Sequence, residues 1–527
     1  MKKIYWILFV AMAWCGCYDD KGNYDYRDLA DVQVAIKEEG PHSVMYGEIL
    51  KLTSDVKTSI PDTDLRYDWE VQMDTAWFDP FVAVAQGRDL NYKWENAVLN
   101  KEKTYKMRLN VTQISNERHF YSNVVDVTVK MTPTALGLMV LHGDENTSDI
   151  GVIEAPEFQL LKPAAGFNNK TDVAYYSSKN GNQRIAGKGT GLWQTYLNGS
   201  ASAPDNIVII ALTESMSAVV DSKTMEKEGE WNDLFVGGLN AGRPGGITIN
   251  NYELYIFDGK DIFSRQPYDY RVAVPKYAYD ENNEEYSFEF YPQFFPPSGR
   301  SIGQGILFDM NKCGFVSIEY VYDFSGLALI DINEPGIQIP FNPGDMQADL
   351  LHWDAGGKYG MLAVMRSKDN GSYFIAEMND AATKVTDFPK YKYDLSHIND
   401  VANGDVISWA FGNNQINMGY YATSRGVYHF SVDDGKEINP SELVMENNSK
   451  VEFEGDITLM KILKPRATGG KEYYMNNVVM VVGTYGGTSG SGKLYSLELD
   501  PNSGKVKSQL GMYEGFDRIQ EVEIKGY

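Results

Sequence analysis

A repeated pattern fills most of the chain and limits the folds it can adopt. Each copy consists of an apolar strand, a polar turn and a second strand that ends in an acid or an amide, followed by a turn with Gly or Lys. The copies begin at Gly137, Ile207, Ile247, Gly314, Tyr359, Met418 and Val479. Repeats of this kind indicate an architecture that arranges one small unit many times.

The spacing of the copies favours a β-propeller. The polar positions that end the second strands are Glu154, Asp221, Asp258, Asp331, Asn379, Asp433 and Asp500. These positions are about 58 residues apart on average, whereas a four-stranded blade needs about 40–50, so we assign the excess to loops. We therefore predict that residues 135–527 form a propeller of seven blades, with six or eight as alternatives. Residues 519–524 should pair with the first blade and close the ring, which removes exposed strand edges.

A short motif supports a propeller. Residues 367–374 read SKDNGSYF. This segment resembles the Asp-box, S-x-D-x-G-x-x-[WF], of sialidase-like propellers. The resemblance implies a structural hairpin turn and no catalytic role.

The region before the repeats predicts a separate β-sandwich, so that the whole chain is all-β. Residues 31–132 contain short strands with alternating apolar and polar side chains, at 32–36, 49–52, 67–71, 105–111 and 124–129. This period of two is expected when one face of each strand packs on a second sheet. About 100 residues with such strands fit an immunoglobulin-like or PKD-like fold, with Trp69 as the central core aromatic. Pro133 interrupts strand pairing and marks a linker to the repeats.

The first sixteen residues have the character of a lipoprotein signal peptide. Lys2 and Lys3 precede an apolar run at 4–13, which is too short to span a bilayer as a helix. Gly16 then precedes Cys17, and this junction resembles the lipobox of bacterial lipoproteins. The resemblance implies a diacylglycerol on Cys17 that anchors the protein in a membrane. The alternative is an ordinary cleaved signal with a chance cysteine.

Acidic residues follow the predicted lipid site directly. Asp19 and Asp20 begin an acidic tether at 17–30, and they resemble the surface-export signal of Bacteroidota lipoproteins; a solvated linker is the alternative. CYDDKGNYDY followed by a β-domain is similar to PKD-like lipoproteins encoded beside Sus-type nutrient-uptake systems. That resemblance covers roughly the first 130 residues. It implies an outer-membrane protein that faces the exterior, with a SusC/SusD-type importer as a candidate partner.

Charge and cysteine content exclude several functions. The formal net charge is −24, from 48 basic and 72 acidic residues. Such a chain repels phosphate backbones, so we expect no nucleic-acid partner. Only Cys17 and Cys313 remain after signal cleavage, so a disulfide framework is not expected. Cys313 is predicted to be a small buried hydrophobe.

Catalytic motifs are absent from the sequence. The six histidines do not pair at metal-binding spacing, and no HExxH, GxSxG, Walker or CxxC motif occurs. The acidic run at 280–285 lacks EF-hand spacing and is predicted to be a solvated loop. We therefore predict no metal site and no cofactor. A glycosidase pair of carboxylates cannot be selected among 72 acids, so catalytic residues stay unknown.

Aromatic residues in predicted loops are the candidate ligand-binding side chains. Trp193 and Tyr196 lie in a Gly-rich segment, and Tyr268, Tyr270 and Tyr279 lie in an aromatic stretch at 268–295. Aromatic faces stack on sugar rings and anchor protein interfaces. The alternative is that these rings pack inside the propeller.

Three functions remain open at this point. The first is a surface lipoprotein that binds a nutrient polymer, a polysaccharide or a peptide, or docks on an importer, with the sandwich as a spacer. The second is a propeller hydrolase or lyase acting on glycans, with carboxylates in the central funnel. The third is a purely structural or assembly component. Two close carboxylates beside an arginine cluster would favour the enzyme, and an aromatic platform would favour binding.

Overall fold

The computed structural model describes most of the two predicted domains. The described residues are 32–38, 40–45, 48–72, 80–94, 103–130, 136–159, 163, 167–200, 203–234, 244–249, 254–258, 261–265, 274–275, 289–293, 295, 305–318, 327–332, 335–412, 417–464, 475 and 478–526. The chain divides into two compact units, Met1–Thr132 and Pro133–Tyr527. The predicted signal peptide and tether lie outside the described residues.

The first unit contains ten strands among its described residues. They are β1 (Val32–Ile36), β2 (His42–Met45), β3 (Ile49–Leu52), β4 (Ser54–Thr58), β5 (Leu65–Gln72), β6 (Phe81–Gln86), β7 (Leu90–Lys93), β8 (Lys103–Gln113), β9 (Arg118–Tyr121) and β10 (Val125–Lys130). One sheet has the order β2-β10-β8-β5-β6, with β9 also paired to β8, while β1 pairs with β4 and β3 pairs with β7. The predicted strands at 32–36 and 49–52 coincide with β1 and β3.

Side chains from these sheets share one apolar core. Trp69, Val71 and Tyr105 are almost fully buried in it, and the Trp69 Nε1–H donates to the Gly87 carbonyl at 3.0 Å. Because side chains alternate along a strand, the neighbours of Trp69 on β5 face the opposite side of the sheet. The prediction that Trp69 is the core aromatic is confirmed.

The second unit contains 28 strands among the described residues. They are β11 (Gly137–Gly143), β12 (Thr147–Glu154), β13 (Lys170–Asp172), β14 (Ile185–Ala186), β15 (Gly189–Ser200), β16 (Ala203–Thr213), β17 (Ser217–Asp221), β18 (Lys227–Gly229), β19 (Pro244–Ile249), β20 (Leu254–Asp258), β21 (Asp261–Arg265), β22 (Val274–Pro275), β23 (Gly305–Asp309), β24 (Gly314–Ile318), β25 (Leu327–Leu329), β26 (Ala348–Ala355), β27 (Gly360–Ser367), β28 (Tyr373–Asn379), β29 (Pro389–Asp394), β30 (Val406–Phe411), β31 (Met418–Thr423), β32 (Val427–Ser431), β33 (Ser441–Glu442), β34 (Asp456–Ile462), β35 (Val479–Tyr485), β36 (Gly492–Leu499), β37 (Val506–Phe516) and β38 (Arg518–Lys525).

Helical structure is minor in the described residues. The helices are α1 (Tyr175–Lys179) and α2 (Asn399–Asn403), and 3-10 turns occur at Asp62–Asp64, Pro156–Phe158, Trp231–Leu234 and Val385–Asp387. None of the helices in the described part of the chain has the length and apolar character needed to cross a bilayer. The prediction of an all-β chain is confirmed.

The strands of the second unit form consecutive antiparallel sheets in chain order. Five sheets have four strands each: β15 to β18, β19 to β22, β26 to β29, β30 to β33 and β34 to β37. A three-stranded sheet joins β23, β24 and β25, and isolated bridges place Phe290 and Phe295 beside β23. The remaining sheet has the order β13-β12-β11-β38, with β14 also paired to β12.

The repeat prediction places the strands correctly but shifts two copies. Five copies fall on equivalent hairpins, for example β16–β17 and β27–β28. The copy at Ile247 instead covers β19–β20, one strand too early, and the copy at Gly314 covers β24–β25, one strand too late. Any two neighbouring strands of an antiparallel sheet give the same apolar-turn-apolar pattern, so the pattern does not reveal which pair it marks.

The last strand of the chain pairs with the first strand of the second unit. β38 is antiparallel to β11, with Leu138 opposite Ile524 and Val140 opposite Val522. The side chains of these residues are buried in one cluster with residues of the β34–β37 sheet. The predicted pairing of residues 519–524 with the first sheet is confirmed.

Two smaller predictions also hold. Residues 367–374 form the turn between β27 and β28, in which the Ser367 N–H donates to the Ser372 carbonyl at 2.8 Å. Gly371 has a φ of +71°, a conformation that favours glycine in such a turn. Cys313 is a buried free thiol, as expected.

Candidate functional site

In six of the seven sheets of the second unit, one edge is formed by a strand that we call the first strand of the sheet. The first strands are β15, β19, β26, β30, β34 and β38. They contact one another in the order β19, β15, β38, β34, β30, β26. The Tyr291 hydroxyl donates to the Leu351 carbonyl of β26 at 3.1 Å, which brings the segment beside β23 to the same array. Side chains from sheets far apart in sequence therefore meet at these strands.

Each first strand carries an extra residue opposite its neighbour in the sheet. The extra residues are Thr190, Gly245, Leu351, Ile407, Thr458 and Gln520. A β-bulge of this kind bends a strand and increases its twist. Because the irregularity recurs in every first strand, it is a property of the repeat and re-aims the side chains that follow it.

Charged side chains of three first strands converge into what we call the charged cluster. Its members are His352 and Asp354 on β26, Lys461 on β34, Lys464 just after β34, and Glu521 and Glu523 on β38. The cluster thus joins three different sheets of the second unit.

Lys461 is held between two carboxylates. Its Nζ donates to Glu521 Oε1 at 3.0 Å and to the Val522 carbonyl at 2.9 Å, and it lies 3.6 Å from Glu523 Oε2. Burial alone lowers the pKa of Lys461, but Glu521 and then Glu523 outweigh burial and raise the pKa above its ordinary value. Lys461 therefore stays protonated between the two carboxylates.

Lys464 makes the second cross-link of the charged cluster. Its Nζ lies 2.5 Å from Asp354 Oδ2 and also donates to the Ala355 carbonyl. Burial lowers the pKa of Lys464, and the Asp354 carboxylate opposes that shift. The contact connects the end of β26 to the end of β34 past the intervening strand β30.

His352 is the uncharged member of the cluster. Burial lowers the pKa of His352 to about 4, and the nearby ammonium groups of Lys464 and Lys461 act in the same direction. Its Nε2 is buried and has no hydrogen-bond partner in the described part of the chain. His352 is thus a neutral imidazole at neutral pH.

The pairing of charges limits the chemistry of this cluster. A glycosidase needs one protonated and one ionised carboxyl group across its substrate. Here each of the three carboxylates is engaged by a lysine ammonium group. In the described residues, no group of three or more His, Cys, Asp or Glu side chains is placed to hold a metal ion. The arrangement fits a rigid charged cross-link better than an acid–base pair.

A second polar network lies where β38 meets β11. The His142 Nε2–H donates to the Val173 carbonyl at 2.8 Å, and its Nδ1 accepts from the Asp517 N–H at 3.0 Å. Arg184 and the Ser489 hydroxyl donate to the Asp517 carboxylate at 2.8 and 2.7 Å. Burial would raise the pKa of Asp517, but these donors and a backbone amide lower it to about 2. This network fastens the start of the closing strand.

The predicted binding residues do not gather into one described site. Trp193 lies within strand β15 and not in a loop, and its half-buried ring folds back over Gly191, where a Cβ would overlap it. Tyr196 is on the same strand, but its side chain lies outside the described residues. Tyr268, Tyr270 and Tyr279, like Cys17, Asp19 and Asp20, are outside them altogether.

Two other aromatics of the 268–295 stretch are part of the core. Phe295 is buried with its ring centroid 5.8 Å from that of Trp353, and Tyr291 packs edge-on against the same indole at 6.3 Å. These two rings therefore pack in the interior, which is the alternative to ligand binding that the sequence left open. Their position beside β23 explains it, because they occupy the first-strand edge of that sheet.

The charged cluster is missing from the sequence-based predictions. A signal for it exists, since residues 456–464 read DITLMKILK, with lysines at 461 and 464 among mostly apolar residues. Lysine seldom lies in buried strands unless it has a partner. The carboxylates that pair with these lysines lie on distant strands, so the sequence does not identify them.

Comparison with known proteins places the first part of the chain in a family context. Residues 17–188 match the PKD-like family. The PKD-like part of the resemblance inferred from the sequence is confirmed for this segment, and the match extends beyond the 130 residues expected. The segment covers the first unit and the beginning of the second. No curated protein matches the chain.

Several solved structures share low similarity with the chain. Hsv2p of Kluyveromyces lactis has 8% identity and a TM-score of 0.33, covering 71% of this chain and 94% of that protein. A DUF4784 family protein of Bacteroides caccae has 11% identity and a TM-score of 0.24, covering 90% and 95%. PorZ, a surface component of the type-IX secretion system of Porphyromonas gingivalis, has 11% identity and a TM-score of 0.23, covering 89% and 63%. Similarity at this level transfers neither fold nor function.

Proposed function

We propose that this chain is a lipoprotein of the outer membrane that faces the cell exterior and binds a nutrient polymer or docks on a SusC/SusD-type importer. In this proposal Cys17 carries the lipid, and Asp19 and Asp20 direct export. The second unit is a seven-bladed β-propeller that presents the binding surface. The first unit connects the propeller to its anchor.

The propeller is supported by the order of the sheets. Seven antiparallel sheets follow one another along the described chain, and six of them have a first strand in the same array. The pairing of β38 with β11 joins the two ends of this series. In a propeller, such pairing places the end of the chain in the first blade and leaves no open sheet at the junction.

A binding role is favoured over catalysis by the charged cluster, and this observation carries the proposal. Its lysines engage its carboxylates across three sheets. An active site would need a carboxyl group that can exchange a proton near neutral pH. The cluster instead cross-links three sheets of the scaffold, which leaves recognition to loops and outer surfaces.

Lipid anchorage is supported by the start of the family match. The match to the PKD-like family begins at Cys17, the residue predicted to carry the lipid. The acidic pair Asp19 and Asp20 follows at once, as in the surface-export signals that the sequence resembles.

Retention on polymers and importer pull-down test the proposed binding. The mature protein and the Trp193→Ala, Tyr270→Ala and Tyr279→Ala variants are compared in affinity gels that contain candidate glycans. Loss of one stacked ring weakens binding by about 0.5–1.5 kcal/mol. We expect weaker retention with little change in melting temperature. Unchanged retention with a large fall in melting temperature would mean that these rings are core residues and would contradict their role in binding.

A further inference from the structure

A stacked row of planar side chains crosses the outer face of the six-stranded sheet in the first unit. This row, which we call the Arg108 row, comprises Phe81 on β6, Arg108 on β8, and Tyr121 and His119 on β9. The Arg108 guanidinium carbon lies 4.0 Å from the ring centroids of both Phe81 and Tyr121. Tyr121 and His119 are stacked at 6.2 Å with 8° between their planes. The guanidinium is therefore clamped between two aromatic rings.

Two buried side chains fix the orientation of the clamped arginine. The Arg108 Nε–H donates to Glu70 Oε2 at 2.8 Å. The other carboxylate oxygen, Glu70 Oε1, accepts from Asn110 Nδ2 at 2.7 Å. Glu70 and Asn110 are themselves buried on this face. Because every partner sits on a paired strand, the guanidinium is held in place before any ligand arrives.

Some hydrogen-bond donors of Arg108 have no partner among the described residues. Its Nη1 and Nη2 groups have no hydrogen-bond acceptor within the described residues, and 24% of the side chain is exposed. Lys106 is exposed on the same face two residues earlier on β8, roughly 7 Å away along the strand. No ion pair of Lys106 occurs in the described part of the structure, and Asp126 lies opposite it in the ladder. A planar donor fork and a second cation are thus available together on a chain of net charge −24.

We propose that this face of the first unit binds the carboxylate groups of an acidic polysaccharide. The Arg108 fork receives one uronate carboxylate through paired N–H donors, and Lys106 receives a charge on a neighbouring sugar. A peptide fits less well, because extended peptides gain affinity by pairing with a free sheet edge. Here the backbones of β5 and β8 are paired on both sides. A ligand that lies over these strands is therefore contacted by side chains alone. The first unit then recognises a ligand itself, in addition to the function proposed above.

The test uses the mature full-length protein in native gels that contain polygalacturonate. Methyl-esterified polygalacturonate is the matched control, since it keeps the sugar chain and lacks the charge. The Arg108→Lys variant keeps a cation but loses the fork, and Lys106→Gln removes the second cation without touching the clamp. Arg118→Lys is the control variant, because Arg118 lies on β9 over Phe120 and outside the row. We expect Arg108→Lys to weaken binding about tenfold, Lys106→Gln to weaken it less, and Arg118→Lys to leave it unchanged.

Several outcomes would overturn the inference. One is equal migration of the wild-type protein in polygalacturonate and in its methyl ester. Another is wild-type affinity of both the Arg108→Lys and the Lys106→Gln variants. Equal retardation by polyglutamate would show that any acidic chain suffices and would exclude a polysaccharide site. A lower melting temperature of Arg108→Lys with unchanged affinity would show that the row is only structural. Lys106→Gln keeps the test valid if Arg108→Lys fails to fold, because Lys106 is exposed and outside the clamp.

Discussion

Single residues of the second unit show how charge is tolerated in a β-rich interior. Lys461 and Lys464 each approach a carboxylate on another sheet. His352 lies among them without a hydrogen-bond acceptor or donor for its buried Nε2 in the described residues. His352 therefore remains neutral, because its buried position disfavours the charged imidazolium.

Acidification should lower the stability of the folded protein through His352. The unfolded chain has an ordinary histidine pKa near 6.5, whereas the folded pKa is about 4. The unfolded state therefore binds the proton first as pH falls. The contribution of His352 to the free energy of unfolding is complete above about pH 6.5. This contribution decreases progressively as the pH falls toward about 4, by about 3 kcal/mol in total.

Urea unfolding of the wild type and His352→Asn between pH 7.5 and 4 measures this effect. We expect the wild type to lose more stability than the variant across that range. His142 is present in both proteins and titrates in the same direction, so it cancels in the difference. Parallel pH profiles for the two proteins would contradict the prediction.

Cys17 is the residue predicted to decide where the protein resides. If it carries the lipid, Cys17→Ala should release the protein into the soluble fraction and abolish labelling with radioactive palmitate. Cys15→Ala is the matched control and should change neither result, because Cys15 lies within the predicted signal peptide. Membrane-bound and labelled Cys17→Ala protein would refute lipidation at this position.

At the scale of elements, β38 matters more than its position at the end of the chain suggests. It pairs with β11 and contacts the first strands β15 and β34. Its apolar residues join a core that includes the β34–β37 sheet. This pairing was predicted from the sequence, because joining the last strand to the first blade removes exposed strand edges. The phase of the repeats was harder to predict, since neighbouring hairpins look alike in sequence.

Truncation of one isoleucine on β38 should destabilise the second unit. Ile519 is 1% exposed, and a buried Ile→Ala change costs about 2–5 kcal/mol. The matched control is Ile407→Ala on the first strand β30, where the side chain is 46% exposed and the expected change is within about 0.5 kcal/mol. Chemical unfolding of both variants checks the difference. Equal stabilities would show that β38 contributes little to the folded unit.

At the scale of the whole molecule, two units with different tasks follow a short acidic segment. The first unit displays the Arg108 row on one sheet, and the second unit ties several sheets together through its first strands. The binding roles proposed for both units require delivery to the side of the membrane where a polymer is available. The acidic pair after Cys17 is the feature predicted to control that delivery.

Replacement of Asp19 and Asp20 by Ala should therefore change orientation but not lipidation. We expect the double variant to keep its palmitate label and to become resistant to protease added to whole cells. Asp25→Ala with Asp28→Ala, farther along the tether, removes the same charge and serves as the control. Digestion of the Asp19/Asp20 variant at the wild-type rate would show that the export signal lies elsewhere.

The sequence by itself determined the properties that depend on neighbouring residues. Alternation of apolar and polar side chains determined the strands, and the position of Trp69 in its strand determined that it is buried. Only the tertiary structure decided which charges meet. Lys461 reaches Glu521 from another sheet, and Phe81 and Tyr121 enclose Arg108 from strands on either side. Such contacts depend on strand register and on the packing of sheets, and local sequence patterns specify neither.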